Sequence, residues 1–222
     1  MTYSPEQIVI YVGPSLQVSD ARAILDADYR PPVRRGDIAD LMKSPPKLVG
    51  IIDGKFFQSF AISPKEILPA LEAGVTILGS SSMGALRAVE LHRYGMIGVG
   101  RIFELFHTRV LEADDEVAMA FDPDSGKPVS VPMVNIRLAL EQAVSDGVVS
   151  AESGATLREL VRAVYFPNRS YPMMLSLAEG RIPESERLAL RAWLKERSPD
   201  AKRDDAILLL HEVRRLAGGQ ED

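Results

Sequence analysis

Residues 79–90, Gly-Ser-Ser-Ser-Met-Gly-Ala-Leu-Arg-Ala-Val-Glu, contain a serine whose surroundings suit nucleophilic chemistry. A short apolar run at 75–78 precedes the serines, and good helix formers follow from Met83 onward. The chain is therefore predicted to pass from a strand, through a turn, into a helix whose first N–H groups are free. Such a helix start favours negative charge, either on a bound anion or on a serine that attacks a carbonyl group.

The glycines around the serines leave two interpretations open. Gly79 and Gly84 flank Ser82 as G-x-x-S-x-G, which is one residue longer than the G-x-S-x-G turn of serine hydrolases. A polar residue that caps a packed helix explains one serine equally well, because serine is common at that position. Three consecutive serines, 80–82, exceed what one cap needs, and Gly84 allows the backbone to approach closely.

A serine nucleophile also needs a base. His92 follows Ser82 by ten residues on the same predicted helix, about 15 Å away, so it cannot serve. A lysine can act instead if burial or an unfavourable charge environment removes its proton near neutral pH. Lys65 is the second residue of a helix that a Ser63–Glu66 capping box begins, where the helix dipole disfavours a cation. Lys55 is the alternative, and the residues alone favour Lys65 only slightly.

The elements that must position these residues alternate between strands and helices. Apolar runs at 8–12, 47–52 and 75–78 predict three strands, each followed by a turn with glycine. The helices between them predict a parallel sheet, in which ligands bind outside the carboxyl ends of the strands. The residues expected at this edge are Gly13, Ser15, Asp53, Lys55 and Ser82.

The sequence divides into two parts with different patterns. Residues 1–132 predict an α/β core that carries the site and ends in a β-hairpin at 117–131. Residues 133–222 predict a helical region packed on that core, with no motif to which we assign a chemical role. The fold class is therefore α/β: a small parallel sheet with flanking helices, a β-hairpin excursion and a helical C-terminal region. The helices of that region are predicted near 133–145, 153–165, 170–178, 184–196 and 200–217.

Composition excludes several classes of function. The 222 residues include no cysteine, so a disulfide, a thiolate metal site and a thiol nucleophile are all excluded. A net charge of −5 argues against a nucleic-acid partner. Three histidines without ligand spacing predict no metal site, and we expect no cofactor. The absence of a long apolar run and of a signal-peptide pattern predicts a cytoplasmic protein without a membrane span.

Several short motifs occur in the order in which they occur in TfuA-like proteins, and the sequence resembles that family over residues 8–135. The most specific of them is Ser-Met-Gly-Ala-Leu-Arg-Ala, which begins at Ser82. The motifs are Tyr-Val-Gly-Pro-Ser-Leu at 11–16, Gly-Ile-Ile-Asp-Gly at 50–54, Lys-Glu-Ile-Leu at 65–68, residues 79–91, Gly-Met-Ile-Gly-Val-Gly at 95–100 and Asp-Asp-Glu-Val at 114–117.

TfuA-like proteins accompany YcaO enzymes, which use ATP to activate a peptide backbone amide and replace its oxygen with sulfur. The resemblance implies that the companion is a hydrolase that uses a Ser–Lys pair to release sulfide from a thiocarboxylated, ubiquitin-like carrier of the ThiS type. By position it implies Ser82 as the nucleophile and Lys65 as the base, although Pro64 stands where many relatives have histidine. Oxyanion and substrate-binding roles are predicted for Met83, Gly84, Ser15, Gly13, Asp53, Ser81 and Arg87.

The expected partners are therefore a YcaO-type enzyme and a ThiS-like carrier, with the precursor peptide as a further candidate. Two other functions stay open. The protein could be a non-enzymatic adaptor that docks the peptide or activates YcaO, with the serine turn as a plain helix cap. It could also be a phosphate- or nucleotide-binding module that uses the serine turn together with Arg34 and Arg35.

Overall fold

The computed structural model describes residues 3–55, 61–122, 125–197 and 199–218. The chain forms two compact units, one of residues Met1–Glu112 with Lys202–Asp222 and one of residues Ala113–Ala201. These boundaries differ from the predicted division after residue 132. They differ because the last helix buries its apolar residues with those of the sheet strands, so it belongs to the first unit.

The first unit is built on a five-stranded parallel sheet with the order 2-1-3-4-5. Every residue of β1 and β3 is buried, as expected for strands covered on both faces. The three predicted strands are confirmed as β1, β3 and β4, whereas β2 and β5 were not predicted. The strands are β1 Ile8–Tyr11, β2 Asp28–Arg30, β3 Leu48–Ile51, β4 Thr76–Gly79 and β5 Ile97–Gly98.

Ten α-helices complete the described part of the chain, and those predicted from the sequence are confirmed to within a few residues at each end. Within the described ranges, none of them is both long and apolar enough to cross a membrane. The helices are α1 Val18–Ile24, α2 Asp37–Leu41, α3 Pro64–Glu72, α4 Met83–Leu91, α5 Arg101–His107, α6 Met133–Ser145, α7 Ala151–Arg162, α8 Tyr171–Leu177, α9 Glu184–Arg197 and α10 Ala201–Leu216.

Helices cover both faces of the sheet. On one face, alternate strand residues such as Val9 and Ile77 pack with buried residues of α2, α3 and α4. On the other face, Ile10 and Leu78 pack with α1 and with the apolar side of α10. Each fully buried aliphatic side chain contributes about 1.5–3 kcal/mol to folding, so α10 is held by its own stripe of them. The sheet unit is therefore a three-layer α/β arrangement that includes the last helix.

The second unit contains α6 to α9 around a separate apolar core that includes Leu157, Met174 and Trp193. The predicted β-hairpin is reduced to a single antiparallel bridge between Phe121 and Pro128. A further backbone hydrogen bond of 2.9 Å runs from the Val129 N–H to the Ala120 carbonyl. The tip of this excursion, residues 123 and 124, lies outside the described residues.

Candidate active site

The three serines form a tight turn between β4 and α4, as the sequence predicts. The N–H of Ser82 donates to the carbonyl of Ser80 at 2.7 Å, which closes a γ-turn around Ser81. Ser81 has a φ of +63°, a left-handed conformation that is uncommon for a residue with a side chain. Such strain is found preferentially at functional sites, where the surrounding structure enforces it. The turn therefore has the character of a functional loop.

Gly84 allows α4 to begin directly against the end of β3. A Cβ atom on Gly84 would overlap the carbonyl oxygen of Ile51, so no other residue fits without displacement of the backbone. The N–H of Gly84 donates to the carbonyl of Ile52 at 3.3 Å, and the N–H of Ser80 donates to that of Ile51 at 3.1 Å. These contacts fix the serine turn at the edge of the sheet where β3 ends.

Ser82 is contacted by a lysine from a distant part of the sequence. The Nζ atom of Lys202, in the first turn of α10, donates to the Oγ atom of Ser82 at 3.0 Å. Both residues are almost completely buried, with 2% of Ser82 and 1% of Lys202 exposed. Ser82 holds the N-cap position of α4, yet its side chain makes no capping hydrogen bond. The hydroxyl is thus engaged by an amine rather than by the helix, which is the arrangement of a Ser–Lys nucleophile.

Asp53, the second residue after β3, also lies close to Lys202. Its Oδ1 atom is 3.9 Å from the Lys202 Nζ atom. The carboxylate accepts the backbone N–H groups of Gly13 at 2.8 Å and Ser15 at 3.0 Å, and the Ser15 hydroxyl at 2.6 Å. Gly13 and Ser15 follow β1, so Asp53 joins the ends of β1 and β3. In this strand order, that is the switch point at which open parallel sheets bind ligands.

Lys65 does not occupy the position predicted for it beside Ser82. It is an exposed residue in the first turn of α3, and no hydrogen bond joins it to Ser82 in the described structure. The helix start was recognised correctly, because Glu66 accepts the N–H of Ser63 at 3.1 Å as a capping box requires. The lysine at this helix start is nevertheless directed to solvent. The lysine that contacts Ser82 is Lys202.

Sequence reasoning missed Lys202 because no local motif surrounds it. A signal was nevertheless present in the periodicity of α10. Two charged residues fall within an otherwise apolar stripe at helical spacing, and a charge in such a stripe must have a buried partner. The buried residues of that stripe are Lys202, Asp205, Ala206, Leu209, Leu210 and Val213.

The predicted oxyanion donors differ in their availability. The N–H of Gly84 already donates to Ile52, so it is not free to stabilise an oxyanion. The N–H of Met83 opens α4, where no intrahelical acceptor exists, and it has no acceptor among the described residues. The hydroxyl of Ser81 is buried and likewise has no partner in that part of the chain. Met83 and Ser81 are therefore the better candidates.

Arg87 lies one helical turn after Met83 and is mostly buried. One of its terminal nitrogens pairs with Glu90 at 2.9 Å, which fixes the guanidinium along α4. Its Nε atom is buried without an acceptor among the described residues. Over the same residues, no group of three or more histidine, aspartate or glutamate side chains is arranged to hold a metal ion.

Comparison with protein families gives a match. The sequence model that describes TfuA-like proteins matches residues 53–170, more than half of the 222-residue chain. The matched region includes Asp53 and Ser82 and ends before Lys202. No curated protein matches the sequence. On this match, the chain belongs to the TfuA-like protein family.

Proposed function

We propose that this protein is a Ser–Lys hydrolase that releases sulfide from a thiocarboxylated, ThiS-like carrier protein and thereby supplies a YcaO-type enzyme with sulfur for peptide thioamidation. The observation that supports the hydrolase most directly is the 3.0 Å hydrogen bond between Lys202 and Ser82. The family supports the association with YcaO, since TfuA-like proteins accompany those enzymes. The carrier is proposed from the chemistry that such a site can perform.

In the first step Lys202, as a neutral amine, takes the proton of Ser82 while Oγ attacks the carbon of the thiocarboxylate. A tetrahedral oxyanion forms, and the N–H of Met83 is placed to donate to it. The ammonium then returns its proton to sulfur, the C–S bond breaks, and hydrosulfide leaves. The carrier is now attached to Ser82 through an ester bond.

The second step returns the enzyme to its starting state. Lys202 takes a proton from water, and the resulting hydroxide attacks the ester carbon. The bond to Ser82 breaks, and the serine oxygen regains a proton from Lys202. The carrier leaves as a carboxylic acid, which becomes an ordinary carboxylate when its proton passes through solvent to hydrosulfide. Overall, a thiocarboxylate and one water become a carboxylate and hydrogen sulfide. No thiol of the protein is required, in agreement with the absence of cysteine.

Lys202 is subject to two opposing effects on its charge. Burial disfavours the ammonium form, whereas the Asp53 carboxylate at 3.9 Å favours it. A base must be neutral before the reaction and cationic during it, so a nearby carboxylate stabilises the charge that develops in the transition state. Asp53 is therefore assigned the role of holding and stabilising the lysine, with Gly13 and Ser15 fixing Asp53 in turn.

The burial of the pair restricts the substrate. Because Ser82 and Lys202 are almost fully buried, a reacting group must enter through a local opening. A slender chain terminus can enter such an opening, whereas a loop on a globular surface cannot. The C-terminal tail of a ubiquitin-like carrier has this shape, which supports a protein-borne thiocarboxylate as the substrate.

The two other functions have less support. A plain adaptor would leave the serine as a helix cap, but Ser82 makes no capping bond. A phosphate- or nucleotide-binding module would hold its ligand with the serine turn, Arg34 and Arg35. The hydroxyls of that turn are buried, and Arg34 already pairs with Asp37 at 3.2 Å. Both remain outcomes of the test below.

The direct test is to mix the purified protein with a thiocarboxylated ThiS-like carrier, without YcaO, and to measure sulfide and the carrier mass over time. We expect equal amounts of sulfide and carboxylate carrier. Sulfide that appears only when YcaO and its peptide are present would favour the adaptor. Saturable binding of ATP or pyrophosphate, without hydrolysis of the carrier, would favour the phosphate-binding module.

Asp53→Asn should move the rise of activity with pH toward lower pH. An amide fits this position: its oxygen can accept the two N–H groups, and its NH₂ can donate to the Ser15 hydroxyl. The substitution thus removes the charge that holds a proton on Lys202. The measurement is kcat/KM for sulfide release between pH 5 and pH 10. An unchanged profile in a correctly folded variant would show that Asp53 does not influence the base.

A further inference from the structure

The first turn of α10 carries a second buried charged residue, Asp205, one helical turn after Lys202. Only 3% of Asp205 is exposed. One carboxylate oxygen accepts the N–H of Arg101 at 2.9 Å, and the other accepts that of Ile102 at 2.8 Å. These N–H groups open α5 and have no acceptor within their own helix. Asp205 therefore caps α5 from another helix.

The residue before α5 is suited to this contact. Gly100 holds the N-cap position with a φ of +92°, and it has no side chain with which to cap the helix itself. A Cβ atom on Gly100 would overlap the carboxyl group of Asp205. The turn between β5 and α5 and the first turn of α10 therefore fit against each other directly.

The same segment is bonded to the serine turn. The N–H of Val99, one residue before Gly100, donates to the carbonyl of Gly79 at 2.9 Å. Gly79 immediately precedes the three serines. The serine turn is therefore connected to α10 in two ways. One is the direct hydrogen bond between Ser82 and Lys202. The other runs from Gly79 through Val99 and the start of α5 to Asp205.

We infer that Asp205 is a positioning residue, which anchors the first turn of α10 to α5 and thereby holds the Lys202 amine against the Ser82 hydroxyl. The inference rests on the proposed function. Lys202 and Asp205 are three residues apart and share a helix face, so a shift of Asp205 displaces the lysine too. The larger buried side chains of α10, those of Leu209, Leu210 and Val213, lie farther along the helix, and the core residue beside Asp205 is the small Ala206. A displacement of about 1 Å can lower a catalytic rate about 100-fold.

The anchor depends on the charge of the carboxyl group. Burial, with smaller contributions from Asp204 and from Glu104 on α5, raises the pKa of Asp205 to about 6, although the N–H groups of Ile102 and Arg101 lower it. The cationic side chains nearest to it along these two helices are those of Arg101 on α5 and of Lys202 and Arg203 on α10, and Arg203 pairs with Asp20 at 3.4 Å. A protonated oxygen becomes a donor and accepts the N–H that faces it only weakly. The anchor is therefore complete above about pH 6, and one of its hydrogen bonds weakens below it.

Asp205→Asn imitates the weakened anchor at every pH. At pH 8 we expect kcat for sulfide release to fall about 10- to 100-fold. We also expect the fall of the rate at acid pH to change. Below about pH 6 the wild-type rate should depend on the protonation of both Asp205 and Lys202, and the rate of the variant on that of Lys202 alone. Asp204→Asn, at the exposed neighbouring position, is the matched control. It should keep the wild-type rate at pH 8, and its fall of activity at acid pH should move slightly to lower pH, because Asp204 helps to raise the pKa of Asp205. The same profile in Asp205→Asn as in wild type would overturn the inference.

Stability measurements separate positioning from a merely structural role. Because the pKa of Asp205 in the folded protein exceeds its ordinary value, its contribution to stability is full below that ordinary value and is lost as pH rises through about 6. The contribution of Asp205 to stability thus falls across the range in which its contribution to activity rises. Thermal melts and turnover of wild type and Asp205→Asn at pH 5 and pH 8 resolve the two trends. Parallel changes in both would contradict positioning.

A measurement on the wild-type protein covers the case in which Asp205→Asn does not fold. NMR titration should show the Arg101 and Ile102 amide signals moving with a midpoint near pH 6, and the Lys202 Cε signal should inflect at the same pH. A Lys202 signal that does not respond at that pH overturns the inference. Sulfide release by wild type is a separate readout: its absence would remove the proposed function, while the NMR titration would still report on the anchor.

Discussion

Lys202→Met should lower kcat for sulfide release about 10⁴-fold, because methionine resembles lysine in length but cannot accept the proton of Ser82. The change leaves the buried Asp53 carboxylate without its cation, which can cost about 3–5 kcal/mol, so the melting temperature should also fall. The Asp53 carboxylate keeps its three donors from Gly13 and Ser15 in the variant. The measurement is single-turnover sulfide release, with the melting temperature to show that the variant is folded.

Lys65→Met is the comparison that decides between the two lysines. Lys65 is exposed in the first turn of α3, so its replacement should leave both the rate and the melting temperature close to those of wild type. The opposite result, with Lys65→Met inactive and Lys202→Met active, would restore Lys65 as the base. It would also show that the buried hydrogen bond to Ser82 has only a structural role.

Ser82→Ala should abolish the reaction more completely, with a loss of about 10⁴-fold or more, because the attacking oxygen itself is removed. No capping bond is lost, since the side chain makes none. The variant leaves Lys202 without one acceptor, at a cost of about 1–3 kcal/mol. Mass spectrometry should detect the carrier ester on the wild-type protein and not on the variant.

Ser80→Ala is the matched control within the same turn. The hydroxyl of Ser80 is buried and has no partner among the described residues, so its removal should change neither the reaction nor the fold by much. Carrier affinity should be similar in Ser80→Ala, Ser82→Ala and wild type. Sulfide release by Ser82→Ala at the wild-type rate would exclude Ser82 as the nucleophile and would favour the adaptor.

Much of the sheet could be predicted because its central strands carry the information locally. β1, β3 and β4 are continuous or nearly continuous apolar runs, and glycine or aspartate follows each of them. The edge strands β2 and β5 carry no such signal: Asp28-Tyr-Arg is polar, and Ile97-Gly is too short. Their extended conformation depends on backbone pairing with β1 and β4, which is a property of the assembled sheet.

The site was predictable where it depends on a strand end and not where it depends on a distant contact. Ser82, Asp53, Gly13 and Ser15 all follow predicted strands, and topology alone places them at one edge. The lysine was not predictable, because its contact with Ser82 spans 120 residues. A local rule about the helix dipole ranked Lys65 first, but a dipole effect at an exposed position is worth only about 0.3–1 kcal/mol. The burial of Lys202 beside a hydroxyl and a carboxylate is the stronger reason to choose a base.

The sequence separation of Ser82 and Lys202 also determines when the site can form during synthesis. At about 5–20 residues per second, a ribosome needs roughly 6–24 s to add the 120 residues that separate them. Strands β1 to β4 and the serine turn are already made when this interval begins, and α4, β5, α5 and the second unit are made within it. Throughout it the nascent chain holds a serine without its base, and any product released before Lys202 is inert. Under the proposed mechanism, sulfide release therefore begins only after α10 has left the ribosome and packed on the sheet.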